Sequence, residues 1–244
     1  MKKYLKFAVL LTVALIFNAC GGSDGAGTKG STPVASSELP ATVSTALVSE
    51  KSVLSQELLN TLSYMGNEER LAYDVYNEFY RQYGTKQFTN IATKSEYKHI
   101  TAVQGLIQKY LLSDDSNFTN VDLPALGYMN TAIEDMEAGT YDIEIIQALY
   151  DSLVSQGSRS EIDALKVGCI IEVVDINDLD HDITLAQNSN ASDVVTVFNF
   201  LRDGSYNHYW SFDKGLKNKG ISDGCCSLGT IDGTNYCHPE YPQK

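Results

Sequence analysis

Apolar residues recur at steps of three and four in four stretches of this chain, the spacing that places them on one face of an α-helix. The first face holds Leu58, Leu62, Met65, Glu69, Ala72, Tyr76 and Phe79, and its stretch stops near Gly84. The second holds Ala92, Glu96, His99, Val103, Leu106 and Tyr110. The third holds Ile162, Leu165, Cys169, Glu172, Ile176 and Leu179, and the fourth Val194, Val197, Leu201, Ser205, His208 and Phe212. Ser55, Ser160 and Ser192 stand where a hydroxyl caps a helix start. A short loop around Gly84–Thr89 separates the first two stretches, and a polar stretch around Asn188–Ala191 the last two. Between the second and third lie roughly fifty residues, with Asp114, Asp115, Pro124, Gly139 and a weaker helical pattern from Ile143 to Val154. Two hairpins joined by one long crossover between helices 2 and 3 is ferritin-like connectivity. The predicted fold is therefore all-α, a ferritin-like four-helix bundle.

The apolar faces are interrupted by Glu69, Glu96, His99, Glu172 and His208. A buried carboxylate without a partner costs several kcal/mol, so such groups are neutralised, paired or bound to a cation. No Lys or Arg falls on these four faces to pair them. Glu96 and His99 stand at i and i+3, so both leave one helix turn in the same direction. A Glu-x-x-His pair with single glutamates from other helices is how di-iron bundle sites are built. Taken singly, each residue has an ordinary reading: a stripe-edge glutamate reaching solvent, or a hydrogen-bonded core histidine. Five together on four faces point to a metal ion, with iron favoured and manganese or zinc compatible with the same ligands. Glu68 is a candidate ligand if the first helix is rotated, and Asp175 if the third presents its next turn. Asp74 is expected to orient a histidine or arginine beside the site, and Asp178 to face solvent.

Three blocks carry a family resemblance: Met65–Tyr76 (MGNEERLAYDVY), Phe88–His99 (FTNIATKSEYKH) and Ala164–Leu179 (ALKVGCIIEVVDINDL). They are similar to an uncharacterised ferritin-like family of bacteria and archaea, domain of unknown function 2202. Gly204-Ser205-Tyr206-Asn207-His208 resembles its last helix. The resemblance implies a ferritin-like fold and a dinuclear metal centre of two iron ions, with Glu69, Glu96, His99, Glu172 and His208 as ligands. One position departs from the wider di-iron pattern. Where the last helix should offer Glu three residues before its His, the chain has Ser205, and neither Asp203 nor Asn207 has the spacing to replace it. The expectation is an asymmetric site of one ion or two, completed by Asp175, Glu68 or water.

The ends of the chain bear on location. Lys2, Lys3 and Lys6 precede an apolar run from Phe7 to Phe17 that is short for a bilayer span. Ala19-Cys20-Gly21 then resembles a bacterial lipobox, so residues 1–19 read as a lipoprotein signal peptide and Cys20 as the lipidated mature N-terminus. Residues 20–50, rich in Gly, Ser, Thr and Ala, read as a flexible tether. The bundle is assigned to 51–215 and a Cys-containing tail to 216–244. Export implies an oxidising compartment, where Cys237 is expected to bond to Cys225 or Cys226. The formal charge of −13, more negative still once the three leader lysines are removed, argues against nucleic acid as a partner. The partners expected are metal ions and, through the lipid, a membrane of the cell envelope. Tyr73, Tyr76, Tyr209 and Trp210 flank the proposed ligands and read chiefly as packing, with electron relay as the alternative. No phosphate-binding glycine loop or nucleophilic-serine motif is present. The function expected is redox chemistry toward oxygen, peroxide or ferrous iron. The rival expectation is an envelope binding module whose metal site is structural or lost.

Overall fold

The computed structural model describes residues 38–110, 133–141 and 143–243. The segment read as a signal peptide with Cys20, and residues 111–132 of the stretch read as a crossover, lie outside the described residues. Among the described residues the fold is all-α apart from one two-residue hairpin near the C-terminus, Thr230–Ile231 paired with Thr234–Asn235.

Helix α1 spans Ala41–Val48 and α2 spans Gln56–Tyr83. The Ser55 hydroxyl caps α2 by accepting from the Leu58 N–H. Gly84 ends it at φ 69°, a left-handed turn that glycine adopts without steric cost, and its N–H bonds back to the Tyr80 carbonyl. Helix α3 (Lys86–Ile91) leads into a π turn at Ala92–Glu96 and then α4 (Tyr97–Tyr110). After the crossover come α5 (Glu144–Gly157), α6 (Glu161–Asn188) and α7 (Ser192–Asn218). Ser160 caps α6 through the Asp163 N–H. Ser192 does not cap α7; it is the first helical residue, after Ala191.

Helices α6 and α7 form an antiparallel hairpin. Asp180 meets Arg202, Asp175 meets Ser205 and Glu172 meets His208, so one helix ascends as the other descends. Helix α2 runs antiparallel to the α3–α4 unit in the same way, with Glu69 at His99, Tyr73 on Tyr97 and Tyr76 on Phe88. The apolar core falls into two clusters. One gathers Tyr76, Phe79, Phe88 and Phe212 with α5; the other gathers Leu58, Leu62, Val103, Leu106, Val197 and Leu201. The interrupting Glu and His residues lie along the same helix faces between these two clusters.

Three expectations need correction. Residues 41–48, read as tether from their small polar composition, are helical, because Val43 and Ala46 bury against α4 and α7 and tertiary packing supplies what propensity does not. Helix α7 continues to Asn218, past the bundle limit set at 215. Cys169, read as part of an apolar stripe, is bonded to Cys225, and of the two partners left open for Cys237 it is Cys226 that bonds to it. Periodicity treats cysteine as one more small apolar residue, so it cannot show that the tail folds back over α6. Asp213 holds that fold by accepting from the Cys225 N–H. No helix among the described residues is long and apolar enough to cross a membrane.

Candidate metal centre

Helices α2, α6 and α7 and the π–α4 junction each deliver part of one buried polar layer. Glu69 comes from α2, Glu96 from the last residue of the π turn, His99 from the first turn of α4, Glu172 from α6 and His208 from α7. None is more than 5% exposed. The π turn widens the helix by one residue per turn just where Glu96 leaves it, a distortion found often at functional sites.

Glu96 stands at the middle. One of its oxygens, Oε2, lies 3.0 Å from His99 Nδ1, and the other, Oε1, lies 3.0 Å from His208 Nδ1. Glu69 Oε2 approaches His99 Nδ1 at 3.0 Å, and Glu172 Oε2 approaches His208 Nδ1 at 3.2 Å. The result is two three-residue groups, Glu69–Glu96–His99 and Glu96–Glu172–His208, that share one carboxylate. The imidazole rings are 5.5 Å apart by centroid. The Tyr76 hydroxyl donates to Glu172 Oε1.

The donor set fits a cation. Each histidine offers one Nδ1 to two carboxylates, and a single N–H can serve only one of them well. Glu69 Oε1 and Glu68 Oε1 are buried with no hydrogen-bond partner. Burial pushes the Glu69 carboxyl up to about 7 and raises Glu172, while Asp175 and Glu68 rise well above the usual carboxylate range. Burial acts on Glu96 in the same direction, but the facing His208 and His99 outweigh it and hold its carboxyl low. Burial disfavours charge on the rings too, yet Glu172 and Glu96 raise His208 to about 10. Even with both rings protonated, the five carboxyl groups outnumber the positive charges beside them. These groups could hold a metal ion.

The remaining candidates divide. Asp175 accepts from the Ser205 hydroxyl at 2.5 Å, so the serine that stands at the expected glutamate position carries an aspartate from the facing helix. Asp175 and Glu68 line a cavity of about 20 Å³ with Glu69, Glu96 and Glu172, and Leu71, Ala72, Leu149 and Ile171 complete its lining. Asp74 lies away from the centre. It accepts from the Gly139 N–H and the Tyr141 hydroxyl and pairs with Arg70 at 3.7 Å. Arg70, next in sequence to Glu69, turns instead to the carbonyls of Glu137 and Thr140 and so offers the centre no counter-charge. Tyr209 and Trp210 also point elsewhere: the Tyr209 hydroxyl bonds to the Tyr236 carbonyl and Trp210 Nε1 to the Tyr241 carbonyl, docking the tail. Tyr76 touches the centre through its bond to Glu172. Its signal was its place on the Glu69 stripe, seven residues on. The π turn and the Ser205–Asp175 bond left no mark in the apolar pattern.

The family model for "Uncharacterized protein domain (DUF2202)" matches residues 59–230. The chain belongs to the DUF2202 family. A relative, the uncharacterized protein MJ0754 of Methanocaldococcus jannaschii, is 35% identical over 170 residues, which is 70% of this chain and 80% of the relative. The crystal structure of the hypothetical protein MJ0754 from the same archaeon superposes with a TM-score of 0.58 at 34% identity, covering 70% of this chain and 86% of that one. The matched span of this DUF2202 member contains all five residues of the shared-carboxylate layer together with Glu68 and Asp175.

Proposed function

We propose that this DUF2202 member is a ferritin-like four-helix metalloprotein whose core holds two transition-metal ions, iron in the first instance. Glu69 and His99 would hold one ion, Glu172 and His208 the other, and Glu96 would bridge them. The observation that carries this reading is Glu96, whose two oxygens each stand 3.0 Å from a different histidine nitrogen. Mixed carboxylate and imidazole donors suit iron and manganese, and accept zinc. Bound iron would supply electron transfer with oxygen, peroxide or ferrous iron. The chain's own residues set the conditions: Tyr76 fixes Glu172 by donating to it, Ser205 holds Asp175, and Leu71, Leu149 and Ile171 give the cavity beside the centre an apolar part to its lining. Asp175 would complete the asymmetric side left by Ser205.

The envelope location belongs to the same proposal. Its support is the run of Lys2, Lys3 and Lys6, the apolar Phe7–Phe17 segment and the Ala19-Cys20 pair. The two disulfides suit a compartment outside the reducing cytoplasm. Purification of native protein without chelator, followed by elemental analysis and aerobic addition of ferrous iron, tests the function. Bound iron with oxidation of added ferrous iron supports it. A colourless protein holding only zinc and inert to ferrous iron favours an envelope binding module with a structural metal.

A further inference from the structure

The acids that the two three-residue groups leave unused form a seam. On α6, Asp175, Asp178 and Asp182 follow Glu172 at steps of three, three and four, so all share one helix face. Helix α2 runs the other way and sets Glu69, Glu68 and finally Glu57 along the same junction. The charges of Asp178, Asp175 and Asp182 all bear on Glu68, and that of Glu57 bears on Asp182. The seam thus begins at the buried centre and ends at Glu57, which is exposed. Asp178, expected in solvent, is half-buried within it.

Glu68 marks its inner end. It is 8% exposed, its Oε1 has no hydrogen-bond partner, and it lines the small cavity shared with Glu69, Glu96, Glu172 and Asp175. A cavity of about 20 Å³ takes one guest of water size. Of the basic groups nearby, Arg202 is engaged with Asp180 and Asn199, while His181 pairs with Asp182 at the outer end of the seam. Residues 111–132 contain no Lys, Arg or His that could neutralise it. On the opposite side of the centre, a groove reaches His208 between Asn90, Ser95, Asn207, Ser211 and Lys214. That lining holds no carboxylate and one lysine, so it lacks the negative charge that the seam presents to a cation.

We propose that the acidic seam along the α2–α6 junction is the route by which divalent cations reach the centre, with Glu68 as the relay carboxylate at its inner end. The proposal rests on the metal-centre reading above. Carboxylates without imidazole suit transition ions less well than the mixed donors of the centre, which favours passage inward over storage in the seam. Lined charge raises local cation concentration and speeds capture.

The test is stopped-flow loading of cobalt(II), whose visible absorption reports ligation, into metal-free protein. Glu68→Gln and Asp182→Asn should each load about tenfold slower or more, to the wild-type final stoichiometry. Asp182 sits at the outer end, so its variant keeps the test available if Glu68→Gln fails to fold. Asn207→Lys, at the mouth of the other groove, should load at the wild-type rate. Unchanged rates in both acid variants, or slowing in Asn207→Lys, would overturn the route while leaving the centre standing. Absence of cobalt uptake by the wild type would instead overturn the centre itself, and the route with it.

Discussion

Gly204 tests how tightly the centre is built. It lies on α7 one turn before His208, and a Cβ there would stand 2.6 Å from His99 Cε1 and nearer still to Nε2. In an ordinary helix, Gly→Ala gains about 1 kcal/mol. Here the neighbour cannot give way cheaply. The His99 ring is fully buried, held at Nδ1 by Glu69 and Glu96 and met edge-on by Phe200 at 5.4 Å. Overpacking a core of this kind costs about 1–3 kcal/mol. Moving the ring off its charge-assisted bonds costs about 1.5–3 kcal/mol more. The net expectation for Gly204→Ala is a loss of roughly 2–4 kcal/mol, read by urea unfolding of the metal-free protein. Gly105→Ala is the internal comparison, because a Cβ there meets only the flexible tip of Leu47 on α1. That change should lie within about 1 kcal/mol of wild type, of either sign. A Gly204→Ala protein as stable as wild type would show that His99 is not fixed where its contacts place it.

Other outcomes follow from the periphery. Asp193 takes bonds from Lys109 at 2.6 Å and Tyr110 at 2.5 Å; burial works against its charge, but these donors hold its carboxyl below the usual range. Its contribution is therefore present above the unfolded aspartate value and is lost as pH falls through the lower folded one. Since both side chains are buried, Asp193→Asn should cost about 1.5–3 kcal/mol in urea unfolding at pH 7, with the gap closing below about pH 4. The Cys169–Cys225 bond spans 56 residues and Cys226–Cys237 spans 11. Removing the first pair should cost more, about 4 against about 3 kcal/mol in the chain-entropy model, and equal losses in thermal unfolding would refute that ranking. Cys20→Ser should move the protein out of the membrane fraction, and a variant that still sediments with membranes would count against lipidation.

The helices were legible because their apolar faces are long and regular. Of the residues placed on the four faces, Ile162 alone is only half-buried. The five interrupting residues were legible for the same reason, since a charged group inside such a stripe contradicts its surroundings. What the pattern hid were features that periodicity does not encode. The π turn at Ala92–Glu96 changes the helix geometry without changing which residues are apolar. Ser205 looked like a missing ligand, and only the antiparallel α6–α7 register shows that it carries Asp175. Asp74 sat close to Glu69 in sequence but faces the turn at Gly139 and Tyr141, a long-range contact no local rule supplies. Cys169 hid in a stripe because a cysteine and a small apolar residue pack alike.

The central claim is that one carboxylate, Glu96, serves two ions. The direct measurement is metal per chain after anaerobic reconstitution with ferrous iron and removal of the excess, compared across single changes. Wild type should hold about two ions, Glu69→Ala and Glu172→Ala about one each, and Glu96→Ala close to none, because metal affinity falls steeply when a ligand is lost. Asp74→Asn, outside the centre, should keep both. Well under one ion per wild-type chain would contradict the metal site, and a Glu96→Ala protein that retained two would contradict the shared carboxylate.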